Sequence, residues 1–335
     1  MKKKILIVED IHSIRLAISD MLGTSFDVFK ASCYDEGIDI LSAYKIDLVI
    51  TDIKMPGKSG LDLIEYVKQY YHDTQYALIT AYNINEYIHF AREYSVWNII
   101  PKYSSLDIEY INVMVKKLLF KDIFGIDKYF PNLNVLQIGD DKHFEAANEG
   151  YLNYKTIKSD KERVYLCERI GKSMVEKGAP RIIHQVIEEL TSNAMIRAPR
   201  DSKGNSKYQY ELPSRDLIIA LENIVLSEID YFEIGYGIID GIYIITTRDR
   251  FGALRKEEIL HRLDRHTKID PDTKLPFGVN DSHGRGLFIC REISDQIIFN
   301  IHKNLRTEII ALVNSKQSSA FKSLSIFEIE MEEKD

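Results

Sequence analysis

Thr51-Asp52-Ile53-Lys54-Met55-Pro56-Gly57-Lys58-Ser59-Gly60 closes an apolar strand signal over Asp47–Ile50 on a carboxylate and then turns through Pro and Gly. A strand that stops on Asp places that side chain at the carboxyl edge of a sheet, where open α/β folds gather their ligands. Asp52 therefore reads as a phosphoryl acceptor, against the plainer reading that it caps the loop. The surrounding sequence decides between them. Residues 1–124 alternate strand and helix signals: Ile5–Val8, Ile14–Leu22, Phe26–Lys30, Asp35–Ala43, Leu48–Thr51, Leu61–Tyr71, Tyr76–Thr80, Glu86–Tyr94, Trp97–Ile100 and a long helix from Leu106 to about Phe124. Short apolar runs bounded by polar turns fit a parallel sheet buried on both faces. The expected fold is an α/β doubly wound, five-stranded parallel domain.

Four strand ends in that scheme carry reactive groups: Glu9 and Asp10 after the first, Asp52 after the third, Thr80 after the fourth and Lys102 after the fifth. Three carboxylates at one rim repel one another, and an oxygen-ligated divalent cation such as Mg²⁺ relieves that repulsion. A lysine and a hydroxyl at the same rim suit the oxygens of a phosphoryl group on Asp52.

Taken together, Val8-Glu9-Asp10, Thr51 to Gly57, Leu78-Ile79-Thr80-Ala81-Tyr82 and Pro101-Lys102 resemble the receiver domain of two-component response regulators, over residues 1–122. The resemblance implies Glu9 and Asp10 as magnesium carboxylates and Asp52 as acceptor of phosphate from a sensor histidine kinase. It also implies Thr80 as the switch hydroxyl and Lys102 as the phosphate-pairing lysine. Three positions before the lysine, where that family usually carries Tyr or Phe, stands Ile99.

At 335 residues the chain is long enough for two domains, and 45% apolar with 28% charged residues describes a globular protein. No apolar run reaches the roughly 18 residues that a spanning helix needs. Met1-Lys2-Lys3-Lys4 leads straight into a strand, so a cytoplasmic protein without membrane association is expected. Cys33, Cys167 and Cys290 are few and far apart, which argues against a disulfide framework. Residues 1–124 carry 14 Lys+Arg against 17 Asp+Glu, leaving 30 against 34 beyond. Neither half is a basic nucleic-acid footprint, so no nucleic-acid partner is expected.

Residues 123–150 replace the polar content of a free tether with Phe124, Tyr129 and Phe130, and read as a structured connector with a short strand at Val135–Ile138. Helix signals return at Asp160–Lys177 and Ala179–Ala198. In the second of these, spacing of four puts Glu189 and Asn193 on one face, while Ile183, Val186, Ile187, Leu190 and Ala194 form the buried stripe. Strand signals follow at Leu217–Ala220, Tyr231–Ile239 and Ile242–Thr247, the last ending on Arg248-Asp249-Arg250-Phe251-Gly252. A helix at Lys256–Leu263 precedes a lid-like segment with Pro271, Pro276 and Gly278. Gly284-Arg285-Gly286-Leu287 then opens a helix, where backbone amides can meet phosphate. Strands at Gln296–Ile301, Glu308–Val313 and Ser325–Ile329 close the chain.

That ordered series resembles the GHKL ATP-binding fold, in its anti-sigma-factor serine-kinase branch, over residues 151–315, with 316–335 as a carboxyl-terminal extension. The implied fold is an α+β sandwich with a mixed, mainly antiparallel sheet and helices on one face. The resemblance implies ATP as cofactor, Asn193 as a Mg²⁺ ligand and Glu189 as general base. It implies Asp249 on adenine's exocyclic amino group, Gly252 permitting close approach of the nucleotide, and Gly284, Gly286 and Thr307 cradling phosphates. Arg262, Arg265 or Lys268 is a candidate to reach the terminal phosphate, against the plainer reading of each as part of a solvated charged face. The expected function is a response regulator whose Asp52 controls a protein serine/threonine kinase acting on an anti-sigma-factor antagonist or sigma factor, in a homodimer. The alternative is an ATP-binding switch that sequesters or dimerises with a partner without phosphorylating it. A histidine kinase is disfavoured, because His184 lies nine residues before Asn193 within the same helix and cannot swing to its own nucleotide site.

Overall fold

A computed structural model describes residues 2–80, 84–102, 108–208, 224–265, 285–314 and 323–330. They divide into two compact units: Met1–Ile123 with Ser323–Phe327, and Phe124–Lys322 with Glu328–Asp335. Among the described residues no helix is long and apolar enough to cross a membrane.

The first unit alternates β1 (Lys4–Val8), α1 (His12–Gly23), β2 (Asp27–Ala31), α2 (Tyr34–Ala43), β3 (Leu48–Asp52), α3 (Gly60–Tyr70), β4 (Gln75–Thr80), α4 (Ile84–Glu93), β5 (Asn98–Pro101) and α5 (Ile108–Phe120). All neighbouring pairs in the order β2-β1-β3-β4-β5 are parallel. Ile5, Leu6, Ile7, Leu48, Val49 and Ile50 have no solvent exposure, as expected for strands covered on both faces. The doubly wound, five-stranded expectation holds, and the strand ends carry Asp52 and Thr80 to one edge. The long helix stops at Phe120, four residues short of the expected end. Lys121 follows in the left-handed region at φ 57° and breaks the helical path.

One addition to this sheet comes from far along the chain. Residues of the carboxyl-terminal strand Ser323–Ile329 run antiparallel to β5, with Leu324 opposite Ile99 and Ser325 opposite Asn98. The expected boundary at 122 thus omits residues 323–327, a pairing that local pattern does not reveal.

In the second unit β6 (Asn134–Gln137) pairs parallel with β7 (Tyr151–Ile157), and β8 (Phe232–Ile239), β9 (Ile242–Asp249), β10 (Gln296–His302) and β11 (Arg306–Asn314) complete a mainly antiparallel sheet in the order β10-β11-β9-β8-β7-β6. The hairpin between β8 and β9 turns on Asp240 and Gly241, both at positive φ. Helices α6 (Asp160–Glu176), α7 (Ile183–Ser192), α8 (Lys256–Arg265) and α9 (Arg285–Ile293) accompany it. α7 packs on β9 and β11 and buries Ile183, Val186, Ile187 and Leu190, residues of the stripe expected from spacing.

The connector belongs to this unit and is structured: Ile126, Tyr129 and Leu133 are buried, and the Arg306 guanidinium lies 3.6 Å from the Phe124 ring centroid. Cys167 in α6 and Cys290 in α9 are buried thiols, Cys33 is partly exposed, and all three are free. The expected strand at Leu217–Ala220 and most of the lid-like segment lie outside the described residues.

Candidate functional site

Asp52 ends β3, and the loop that follows is held open beneath it. Ser59 caps α3 by accepting the Asp62 amide, while the Asp62 carboxylate accepts the Ser59 amide at 2.7 Å. The helix start is thereby pinned against Asp52: a Cβ on Gly60 would stand 1.8 Å from the Asp52 carbonyl oxygen, so no other residue fits there without moving backbone.

Around Asp52 the expected rim groups converge. Glu9, Asp10 and Asp52 each bring a carboxylate oxygen within 4.8 Å of the others. Lys102 Nζ stands 2.6 Å from Asp52 Oδ2 and 2.8 Å from Glu9 Oε2. Its backbone amide donates to the Thr80 carbonyl at 2.6 Å, fixing the end of β4 beside it. Glu9 and Thr80 are fully buried and Asp52 is nearly so. Burial pushes the Asp52 carboxyl above its ordinary range; Lys102 opposes that shift and Asp10 adds to it. Burial likewise raises Glu9, again against Lys102.

Three carboxylates, of which Glu9 and Asp52 are buried and Asp10 is open to solvent, and one ammonium leave two net negative charges at a site whose anionic donors are all oxygens. That donor set fits a hard divalent cation, and Mg²⁺ would be held by Glu9, Asp10 and Asp52. A raised carboxyl pKa contributes stability that is present at acid pH and lost as pH rises through the folded-state value. Mg²⁺ binds the ionised form and reverses that loss. Mg²⁺ is therefore expected to raise Tm by several degrees at neutral pH and progressively less on acidification, a trend that thermal unfolding at fixed ionic strength checks.

The second unit offers a cavity. Its polar lining comprises Asn193, Arg197, Arg200, Thr247, Asp249, Glu258, Arg262 and Thr307, and its apolar lining includes Ala198, Leu254, Leu287 and Ile309. Asp249 and Thr307 sit opposite each other in the β9–β11 register. Asp249 Oδ1 accepts the amides of Phe251 at 2.8 Å and Gly252 at 3.2 Å. Full burial raises the Asp249 carboxyl, opposed by these two amides and by Thr307. Asn193 Nδ2 is a buried donor with no hydrogen-bond partner among the described residues. Such a donor at a cavity wall is an unmet requirement for an acceptor.

Three placements differ from the sequence expectation. The helix expected over Ala179–Ala198 is α-helical only through Ser192, and Asn193–Arg197 form a π-helical turn, a distortion that clusters at functional sites. Gly252 does not line the cavity. It sits at φ +54°, and a Cβ there would lie 2.0 Å from the His302 carbonyl oxygen, so a close crossing of the chain already requires glycine there. Glu189 borders a separate groove with His184, Glu188 and Ile289, although a Cβ on Gly286 would meet its Oε2 at 2.0 Å and Asn193 Nδ2 at 3.5 Å. Gly286, Glu189 and Asn193 are thus brought together. Gly284, Lys268 and the Arg265 side chain lie outside the described residues.

Arg197 and Arg200 line the cavity beside Arg262 and were not singled out from sequence. The spacing of four between Asn193 and Arg197 was the available signal. Burial pushes both guanidiniums down, and Arg262 adds to the effect on Arg197. Cations crowded in this way favour an anionic ligand.

Comparison with known proteins concerns the first third of the chain. The family described as response regulator receiver domain matches residues 5–110. Sporulation initiation phosphotransferase F of Bacillus subtilis is 29% identical over 120 residues, 36% of this chain and 95% of that protein. Response regulator protein PilR of Pseudomonas aeruginosa is 38% identical over 82 residues, 24% of this chain, and the chain spans 18% of its length. Among solved structures, the Mg²⁺–BeF complex of response regulator protein TrrA from Thermotoga maritima is 30% identical, covers 35% of this chain and 99% of that one, and has a TM-score of 0.32.

Proposed function

We propose, from the premise that residues 5–110 are a response regulator receiver domain, that this protein is phosphorylated on Asp52 by a sensor histidine kinase and thereby controls an ATP-binding output unit. The observation that carries the reading is the convergence of Glu9, Asp10, Asp52 and Lys102 at one sheet edge, with Glu9 and Asp52 buried. An Asp52 oxygen attacks the phosphorus of a phosphohistidine; the new P–O bond forms as the P–N bond breaks, and the imidazole nitrogen keeps the electron pair. Lys102 meets the charge that grows on the transferring oxygens. Glu9, Asp10 and Asp52 would hold Mg²⁺, which would supply further positive charge to those oxygens.

For the second unit the reading is a protein serine/threonine kinase of the anti-sigma type, gated by phosphorylation of Asp52. Asp249 would accept the adenine amino group, Asn193 would help hold Mg²⁺·ATP, and Arg197, Arg200 and Arg262 would meet the phosphates. In transfer, a partner's Ser or Thr oxygen bonds to the γ-phosphorus, the bridging oxygen leaves with ADP, and the hydroxyl proton passes to Glu189. The position of Glu189 outside the cavity lining favours a second reading: ATP binding that lets the protein sequester an anti-sigma-factor antagonist or sigma factor without phosphorylating it.

Radiolabelled ATP with candidate partners separates the two. Label transfer that falls about 100-fold in Glu189→Gln while ATP affinity is retained supports the kinase, since a general base contributes on that order. Intact ATP binding with no transfer to any partner supports the switch, and absent ATP binding removes both.

A further inference from the structure

Ile99 lies three residues before the lysine that holds Asp52, and it is only 1% exposed. β4 flanks it on one side and the carboxyl-terminal strand on the other. Leu324 pairs directly opposite Ile99, Ser325 pairs opposite Asn98, and the Ile326 amide donates to the Trp97 carbonyl at 3.1 Å. Ser325 Oγ and the Tyr110 hydroxyl share a buried hydrogen bond of 2.5 Å, and the Lys117 ammonium lies 5.0 Å from the Phe327 ring centroid. Ser323 through Phe327 are all buried.

We infer that this strand is the element that occupation of Asp52 by a phosphoryl group releases from β5. Lys102 spans Asp52 and Glu9 within 3 Å, and its amide is tied to Thr80. A phosphoryl group on buried Asp52 adds acceptor oxygens where Lys102 Nζ now sits, so the lysine and the end of β5 have to move. β5 is bound to β4 through three residue pairs, Leu78–Ile99, Ile79–Ile100 and Thr80–Pro101, but to the carboxyl-terminal strand through two. The shorter junction yields first. The Tyr110–Ser325 bond makes the change two-state, because a buried hydroxyl that drifts part-way keeps neither its partner nor water. In the chain the strand continues into Glu328 and Ile329 of the second unit, so its release is a route from Asp52 to that unit. A Tyr or Phe at position 99 is not needed for this route, since the pairing itself carries the change.

Hydrogen exchange on the full-length chain, with Mg²⁺ alone and with Mg²⁺ plus beryllium fluoride as the phosphoryl mimic, tests the inference. The Ile326 amide is expected to exchange about tenfold faster with the mimic, a local opening distinct from global unfolding. The environment of Trp97, the only tryptophan in the sequence, should change in parallel. By reciprocity, Tyr110→Phe, which loosens the strand, should bind beryllium fluoride more tightly. Slower exchange at Lys102 with no change at Ile326 overturns the inference while leaving Asp52 as the acceptor. No change at either position overturns both.

Discussion

Asp52→Asn is expected to take up no label from radiolabelled acetyl phosphate, a loss on the order of 1000-fold or more, because the substitution removes the attacking oxygen and nothing nearby replaces it. Glu9 does not substitute, since its side chain has no solvent exposure through which a phosphodonor could reach it. Lys102→Met provides the informative contrast. Transfer should slow by about 100-fold, the scale of losing one preorganised charge at an oxyanion. Mg²⁺ should nevertheless bind more tightly, because the pocket's net charge goes from two negative to three. Calorimetric titration of Mg²⁺ checks the direction, and weaker binding in Lys102→Met would mean that the lysine organises the carboxylates and does not merely compete with the metal. Removing Lys102 also leaves Glu9 and Asp52 without their buried counter-charge, so the variant should lose about 3 kcal/mol of stability unless Mg²⁺ is present.

Asp249→Asn should weaken ATP binding by about 30-fold, the size of a lost hydrogen bond to a charged group. The fold should survive, because the asparagine carbonyl can still accept the Phe251 and Gly252 amides that now meet Oδ1. What changes is the remaining position, where a carboxylate oxygen becomes an NH₂ donor facing the donor amino group of adenine. Two donors in contact repel. A purine with a carbonyl at that position, as in inosine triphosphate, should therefore lose less than ATP or gain. Equilibrium binding of both nucleotides to both proteins checks this, and equal losses would place the base elsewhere.

The acidic pocket was legible because parallel α/β architecture converts sequence order into position: each apolar run ends at the same edge, so Glu9, Asp52, Thr80 and Lys102 meet without any knowledge of side-chain contacts. Features that depend on distant contacts were not. Asn193 and Glu189 share a helical face by spacing, but the π-helical turn beginning at Asn193 redirects the residues after it, and no local propensity announces such a turn. Arg197 and Arg200 follow from that redirection. Gly252 looked like a ligand-facing glycine, yet its missing side chain is required by residues 302–306, which lie 50 positions on. The pairing of Leu324 with Ile99 spans most of the chain, and the same short apolar run would suit any open sheet edge.

The three thiols give the protein an internal reporter of its own breathing. Burial pushes Cys167 up to about 12 and Cys290 higher still, whereas Cys33 stands partly open to solvent at the start of α2. Only a thiolate alkylates at a useful rate. In the native protein an alkylating reagent should consume one thiol promptly and leave two untouched until α6 or α9 opens. The late modification then clocks local opening of the second unit, without a mutation or an attached probe. Nucleotide or partner that stabilises that unit would register as protected sulfur, countable by mass.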